Sequence, residues 1–173
     1  MDPSQIISKK ITLLGSFGVG KTSLISRFVE GVFPEKYLTT IGLKVDKRTV
    51  VLEDAQLDLI IWDIAGNEEM TRVPQYYLNG CHGVIFVTDL SRPSTWNQLD
   101  QQLALLGSLV PGAVVVTAAN KTDLLTESER KAALRAYPRQ PDFLTSAKTG
   151  DQVAAVFEHL ARQLLDRHAA QNA

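Results

Sequence analysis

The chain has 173 residues, of which 45% are hydrophobic and 21% charged, and its formal net charge is −1. This length and apolar content suit a single domain with its own core, and the near-neutral charge gives no electrostatic reason to expect nucleic acid or an anionic membrane as a partner. The one cysteine, Cys81, rules out an internal disulfide and a cysteine-based zinc site, and fits a reducing, cytoplasmic compartment.

Strands dominate the predicted first half of the chain. The predicted elements are, in order, a strand at 11–14, a helix at 22–29, a loop at 31–42, strands at 43–52 and 57–62 joined by a turn at 53–55, a loop with a broken helix, and a buried strand at 84–87. The strand at 43–52 alternates, the strand at 57–62 is apolar and β-branched, and the turn between them could form a hairpin.

Helices and short strands alternate in the second half. The predicted elements are a helix at 94–110, a strand at 113–118, a helix at 126–137, a strand at 142–144 and a helix at 152–165. Thr126 and Glu129 have the spacing of a capping box. Strands separated by helices indicate an α/β fold with a largely parallel sheet covered on both faces, in which ligands bind at the carboxyl ends of the strands.

A phosphate-binding sequence follows the first predicted strand. Residues 15–22, here called the phosphate loop, match G-x-x-x-x-G-K-[ST] with Gly15, Gly20, Lys21 and Thr22 at the fixed positions. Its glycines allow backbone N–H groups to face an anion, Lys21 can reach the β- and γ-phosphates, and the Thr22 hydroxyl can bind Mg²⁺. The alternative is a glycine turn with a chance lysine, and the motif alone does not separate ATP from GTP.

Two later loops predict a guanine pocket. Residues 120–123, the first base loop, read Asn-Lys-Thr-Asp, and residues 146–148, the second base loop, read Ser-Ala-Lys. The Asp123 carboxylate can accept from the ring N1–H and the exocyclic amine of guanine, a pair that adenine lacks. Lys121 can cover the base, Asn120 can tie the loop to the phosphate loop, and the Ala147 N–H can meet the guanine carbonyl.

These motifs resemble the Ras superfamily of small GTPases over nearly the whole chain. The resemblance is strongest to the Rab branch, through the sequences at 40–42, 62–68 and 145–150. It implies a P-loop NTPase G domain with a six-stranded, mostly parallel sheet, one antiparallel edge strand and five helices on both faces. We expect one such domain over 1–173, with its core at about 8–167, tails at 1–7 and 168–173, and a monomeric state.

The resemblance also implies roles for individual residues. Switch I is expected at 32–42, where Phe33 would meet the edge of the base, Tyr37 would fold over the phosphates and Thr40 would bind Mg²⁺ and the γ-phosphate. Asp63 would hold Mg²⁺, and the Gly66 N–H would contact the γ-phosphate. The expected nucleotide-binding set is Gly15, Phe17, Gly18, Val19, Gly20, Lys21, Thr22, Ser23, Phe33, Tyr37, Thr40, Gly66, Asn120, Lys121, Asp123, Ser146, Ala147 and Lys148. The expected Mg²⁺ ligands are Thr22, Thr40 and Asp63, and the expected catalytic residues are Lys21, Gly66 and Asn67.

Two residues at positions that affect catalysis depart from the family pattern. Asn67 stands where the family has a glutamine that orients the attacking water, and its side chain is one methylene shorter. Phe17 stands where Ras has glycine, so a ring could crowd the water and an inserted arginine finger. We therefore expect slow GTP hydrolysis. The alternative is that Phe17 folds outward onto switch II, the loop that contains Gly66 and Asn67, and that Asn67 reaches the water by loop adjustment.

A surface patch and the chain end bear on partners. Val45, Trp62 and Tyr77 occupy the positions of the hydrophobic triad through which Rab proteins contact effectors, although Val45 is smaller than the usual phenylalanine. The final residues, 171–173, include no cysteine for prenylation, so no stable membrane anchor is expected.

A GTP-binding interaction module with little hydrolysis remains the main alternative to a switch, and the guanine motifs argue against a P-loop kinase or ATPase.

Overall fold

Six strands and five α-helices make up the computed structural model, which describes residues 7–34, 42–52, 55–64 and 73–171. The strands are β1 (Ile7–Leu14), β2 (Leu43–Leu52), β3 (Ala55–Ile64), β4 (Gly83–Asp89), β5 (Val114–Asn120) and β6 (Phe143–Leu144). The α-helices are α1 (Lys21–Glu30), α2 (Gln75–Leu78), α3 (Leu99–Leu109), α4 (Glu127–Ala136) and α5 (Val153–Gln171). Short 3₁₀ turns lie at Pro93–Thr95 and Thr122–Leu124.

The sheet has the strand order β2-β3-β1-β4-β5-β6. Strand β2 pairs antiparallel with β3, with Leu52 opposite Ala55, and every other pairing is parallel. The predicted fold class, including the antiparallel edge strand and the hairpin, is therefore confirmed. Because the parallel strands all end at the same edge, the loops that follow β1, β5 and β6 emerge side by side.

Two hydrophobic cores cover the two faces of the sheet. Successive residues of each strand point to opposite faces, so Ile85 and Val87 pack in the core with α1 and α5, whereas Val84 and Phe86 pack in the core with α2 and α3. The first core includes Phe157 of α5, whose ring stacks on Phe28 at a centroid distance of 4.0 Å. Burial on both faces explains why these strands are short apolar runs in the sequence.

Helix α3 is shorter than predicted. The helix expected over 94–110 begins at Leu99, because Pro93–Thr95 forms a 3₁₀ turn and Trp96 leaves the helical region with φ −135° and ψ −7°. The Thr95 hydroxyl accepts from the Asp89 N–H at 3.0 Å and donates to the Arg92 carbonyl at 2.8 Å, which stabilises the turn. Trp96 is nevertheless buried, as its apolar spacing indicated.

Capping residues mark the start of α4 and the end of α1, and α5 is longer than predicted. Helix α4 begins after Thr126, and the predicted capping box with Glu129 is present. Helix α1 ends at Glu30 and is capped by Gly31, which adopts a left-handed φ of 75°. Helix α5 runs to Gln171, six residues beyond the predicted 165, so the expected core boundary at 167 lies inside a helix. No helix in the described ranges is long and apolar enough to cross a bilayer.

Candidate functional site

The phosphate loop has a backbone that only glycine accommodates at two points. Gly15 has φ 141°, and a Cβ atom there would lie 2.0 Å from the Val87 carbonyl oxygen. Gly20 has φ 101°, and a Cβ atom there would lie 2.4 Å from the Asn120 side-chain nitrogen. The two glycines therefore let this loop pass close to β4 and to the first base loop, which places two predicted motifs in contact.

Lys21 begins α1 and points back over the phosphate loop. Its ammonium donates to the carbonyl oxygens of Gly15 at 3.0 Å and Ser16 at 3.2 Å. Burial lowers the pKa of Lys21 to about 8, an effect that Asp63 opposes and that the charge of Arg92 increases. A buried cation held by neutral carbonyls gains most from an anion, so this side chain suits a phosphate group.

Thr22 and Asp63 bring two hard oxygen ligands together. The Thr22 hydroxyl donates to the Asp63 carboxylate at 2.7 Å, and Asp63 is 1% exposed at the end of β3. Hydroxyl and carboxylate oxygens are ligand types that Mg²⁺ takes alongside substrate phosphates, so the pair fits that ion. Within the described ranges no group of three histidine, cysteine or acidic residues could hold a metal on its own.

Asn120 joins the three loops from the end of β5. Its amide nitrogen donates to the Val19 carbonyl at 3.0 Å, and its amide oxygen accepts from the Thr145 hydroxyl at 3.1 Å and the Ala147 N–H at 3.2 Å. The expected tie to the phosphate loop is therefore present. The Ala147 N–H, which we expect to meet guanine, donates to Asn120 in this structure, where the two base loops pack directly on each other.

Asp123 and Lys121 are both oriented by side-chain contacts. The Ser146 hydroxyl donates to one oxygen of the exposed Asp123 carboxylate at 2.6 Å. Lys121 adopts a left-handed φ of 65°, and its ammonium lies 2.8 Å from the buried carboxylate of Asp89 at the end of β4. The side chains predicted to read and to cover the base are thus each held by a contact of their own.

Two arginines that the motifs did not single out also contact these loops. Arg27 of α1 donates to the carbonyl oxygens of Ala147 at 2.9 Å, Lys148 and Gly31. Arg92, after β4, donates to the Phe17 carbonyl. A lone arginine on an amphipathic helix or in a polar turn has no sequence signature, so only the fold reveals these contacts.

The remaining predicted nucleotide-site residues differ in exposure. Phe17 is 43% exposed and Phe33 is 38% exposed, while Ser23 is half-buried and Lys148 exposed. Val19 is fully buried in the core, so only its backbone can face a ligand. The predicted residues outside the described ranges are Tyr37, Thr40, Gly66 and Asn67.

The three residues of the predicted partner patch lie together. Val45 pairs with Trp62 across β2 and β3, and the Trp62 and Tyr77 rings meet edge to face at 6.4 Å. The Lys10 ammonium lies 3.6 Å from the centroid of the Trp62 ring. Val45 is 48% exposed, which leaves an apolar surface beside the hairpin.

Comparison with known proteins gives one family and several similar proteins. The model of the Ras family matches residues 10–166. Ras-related protein Rab-7b of Mus musculus is 30% identical over 175 residues, which cover 97% of this chain and 88% of that protein. Ras-related protein Rab-18 of Lymnaea stagnalis is 34% identical over 171 residues, covering 95% and 85%. GTP-binding protein ypt1 of Schizosaccharomyces pombe is 31% identical over 175 residues, covering 96% and 85%.

Proposed function

The chain belongs to the Ras family of small GTPases, near the Rab branch, and from that premise we propose that it binds GTP and GDP with Mg²⁺. We further propose that it hydrolyses GTP slowly and presents nucleotide-dependent loops to a protein partner. The observation that carries the proposal is the position of Asn120, whose side chain bonds to the phosphate loop and to the second base loop at once. A ligand that satisfies the predicted preferences of both loops would carry phosphates at one end and a base at the other, which describes a nucleotide.

The phosphates would lie against the phosphate loop. Lys21 supplies the positive charge and the N-terminus of α1 adds its dipole, which acts in the same direction. Bound Mg²⁺ would neutralise part of the phosphate charge, with the Thr22 hydroxyl and the Asp63 carboxylate as its protein ligands in the described ranges. We propose Thr40 as a further ligand in the GTP state.

The base would lie between Lys121 and Phe33 and be identified by Asp123. The Ser146 hydroxyl donates to the Asp123 carboxylate, and the Lys121 ammonium pairs with Asp89. We propose that these contacts leave Asp123 to read the base and the Lys121 stem to cover one face of it. A fixed carboxylate discriminates against adenine because it would be left without donors. To reach the guanine carbonyl, the Ala147 N–H would have to share or give up its bond to Asn120.

Slow hydrolysis is proposed from Asn67 and Phe17. From an unchanged backbone the Asn67 amide falls short of the position in which glutamine orients water. Phe17 lies in the phosphate loop and is 43% exposed, so its ring is not packed in the core. We propose that the ring borders the γ-phosphate side of the site.

Single-turnover GTP hydrolysis tests this proposal on the wild type, Asn67→Gln and Phe17→Gly. We expect at least one substitution to speed turnover several-fold, and Asn97→Gln, an exposed asparagine outside the site, to leave it unchanged. Wild-type turnover in both site variants would contradict the proposed cause of slow hydrolysis.

A GTP-binding module with little hydrolysis is the second candidate, since the same two residues favour it. Hydrogen exchange of residues 32–42 and 63–73 separates the two candidates. A switch protects these segments with a GTP analogue and releases them with GDP, whereas a module that uses GTP as a structural ligand shows equal protection.

The partner surface is proposed on the hairpin, around Val45, Trp62 and Tyr77. Val45 and Trp62 are paired on the hairpin, Tyr77 of α2 meets the Trp62 ring, and β2 and β3 adjoin the two predicted switch loops in the sequence. We propose that a partner that covers these side chains also reads the switch loops. We further propose that the chain acts as one G domain and as a monomer in the cytoplasm. Gel filtration of the GDP-loaded protein at micromolar concentration tests the monomeric state.

A further inference from the structure

The peptide between Phe17 and Gly18 is held by a side chain from another part of the fold. The Arg92 guanidinium donates to the Phe17 carbonyl oxygen. Gly18 has φ 74°, a region open to glycine, so the chain itself does little to prevent this peptide from rotating. An external hydrogen bond is therefore needed to fix one orientation.

The orientation of that carbonyl determines where an N–H group points. Across a trans peptide the C=O of one residue and the N–H of the next point in opposite directions, and the described chain contains no cis peptide. When Arg92 holds the Phe17 carbonyl, the Gly18 N–H must point away from Arg92. In a loop that cradles phosphates, N–H groups directed inward provide the binding.

The backbone of Arg92 is itself held by hydrogen bonds at its N–H and its carbonyl. Its backbone is extended, with φ −126° and ψ 92°, as expected for a residue before proline. Its N–H donates to the Asp89 carbonyl at 3.0 Å, and its carbonyl accepts from the Thr95 N–H at 3.0 Å and hydroxyl at 2.8 Å. The same turn holds Lys121 through Asp89, so one segment contacts both the phosphate loop and the first base loop.

We propose that Arg92 is a positioning residue for diphosphate binding: by holding the Phe17 carbonyl, it directs the Gly18 N–H toward the phosphates. This inference rests on the proposed nucleotide site and adds a residue to it. Loss of this hydrogen bond should allow the peptide to rotate and the bound nucleotide to leave faster, while the fold stays intact.

The sequence offers a direct probe of this peptide. Phe17-Gly18 is the only Phe-Gly pair among the 11 glycines, so labelling with ¹³C-carbonyl phenylalanine and ¹⁵N-glycine yields one correlated amide signal. In the wild type we expect the Gly18 amide proton to move downfield when GDP and Mg²⁺ are added. In Arg92→Met, which keeps the apolar stem, this shift should largely disappear, and Arg92→Lys should restore part of it.

The matching kinetic measurement is the release of a fluorescent GDP analogue from the full chain in the presence of Mg²⁺. We expect release about tenfold faster in Arg92→Met, in line with the loss of one charge-assisted hydrogen bond. Arg162→Met, an exposed arginine of α5, is the control and should match the wild type. If Arg92→Met does not fold, the shorter Arg92→Gln should show both changes.

The outcomes separate the inference from the proposed function. A wild type that binds GDP, together with Arg92 variants that keep its Gly18 shift and its release rate, would overturn the role of Arg92 and leave the nucleotide site standing. A wild type that fails to bind GDP would overturn the proposed function itself.

Discussion

The side-chain amide of Asn120 donates to the backbone carbonyl of Val19 at 3.0 Å, across 101 residues of sequence. Asn120 is 1% exposed, and its amide oxygen accepts two further hydrogen bonds from the second base loop and the residue before it. One buried amide therefore holds the phosphate loop and both base loops in a fixed arrangement, and the nucleotide site depends on it.

Replacing this amide should affect both stability and binding. Asn120→Ala leaves the Val19 carbonyl, the Thr145 hydroxyl and the Ala147 N–H without their partner, so we expect the free energy of unfolding to fall by about 3 kcal/mol. Urea unfolding at fixed GDP and Mg²⁺ measures this loss, with the exposed Asn97→Ala as control. Equal stability of the two variants would show that the loops hold their arrangement without Asn120.

Arg27 should slow the release of nucleotide. It donates to the carbonyls of Ala147, Lys148 and Gly31, and so joins the second base loop to the residue that precedes switch I. In Arg27→Met we expect release of a fluorescent GDP analogue to be about tenfold faster, because the loop loses bonds to a charged donor. Arg135→Met, on the exposed surface of α4, should release it as slowly as the wild type does.

Stability below neutral pH should depend on His82. Partial burial and the nearby charge of Lys9 hold its pKa below the usual 6.5, and its Nδ1 atom accepts from the Lys10 N–H at 3.2 Å. The unfolded chain then takes up this proton at a higher pH than the folded chain does, so folding stability falls as the pH drops through about 6.5.

The test of this linkage is His82→Asn, which keeps an acceptor for Lys10 and removes the titration. We expect the difference in urea midpoint between about pH 7.5 and about pH 5.5 to be smaller in this variant than in the wild type. If both proteins lose the same stability over that range, His82 does not contribute.

Asp123 should determine which purine is bound. Asp123→Asn replaces one acceptor oxygen with an NH₂ donor, which no longer suits the guanine amine but matches the carbonyl of xanthine. We expect weaker binding of GDP and tighter binding of xanthosine diphosphate than in the wild type, each by about a hundredfold. Asp100→Asn, exposed on α3, should keep the wild-type preference. If Asp123→Asn keeps the wild-type preference for GDP over xanthosine diphosphate, the base binds away from Asp123.

The sequence predicted the sheet, the hairpin and the loops of the site because these depend on local patterns. Apolar runs marked the buried strands, and the glycines at 15 and 20 occur where a Cβ atom would collide. The predicted start of α3 was wrong because Pro93 and the residues after it resemble a helix N-terminus, whereas the Thr95 hydroxyl stabilises a 3₁₀ turn. The choice between helix and 3₁₀ turn depends on the contacts of this hydroxyl with Asp89 and Arg92.

The end of α5 and the two arginines were missed for a related reason. The polar run after Leu165 resembles a tail, yet the helix continues and brings His168 to 3.4 Å from Lys9 on β1. Arg27 and Arg92 act on backbone carbonyls that are 120 and 75 residues away in sequence. Such contacts leave no local pattern, since any arginine of an amphipathic helix or polar turn looks the same.

A calorimetric titration of the nucleotide-free chain with GDP and then ADP, both with Mg²⁺, tests the central claim most directly. We expect GDP to bind at least about a thousandfold more tightly than ADP, because the Asp123 carboxylate has no partner on adenine. Absence of GDP binding, or a preference for ADP, would contradict the guanine-nucleotide site.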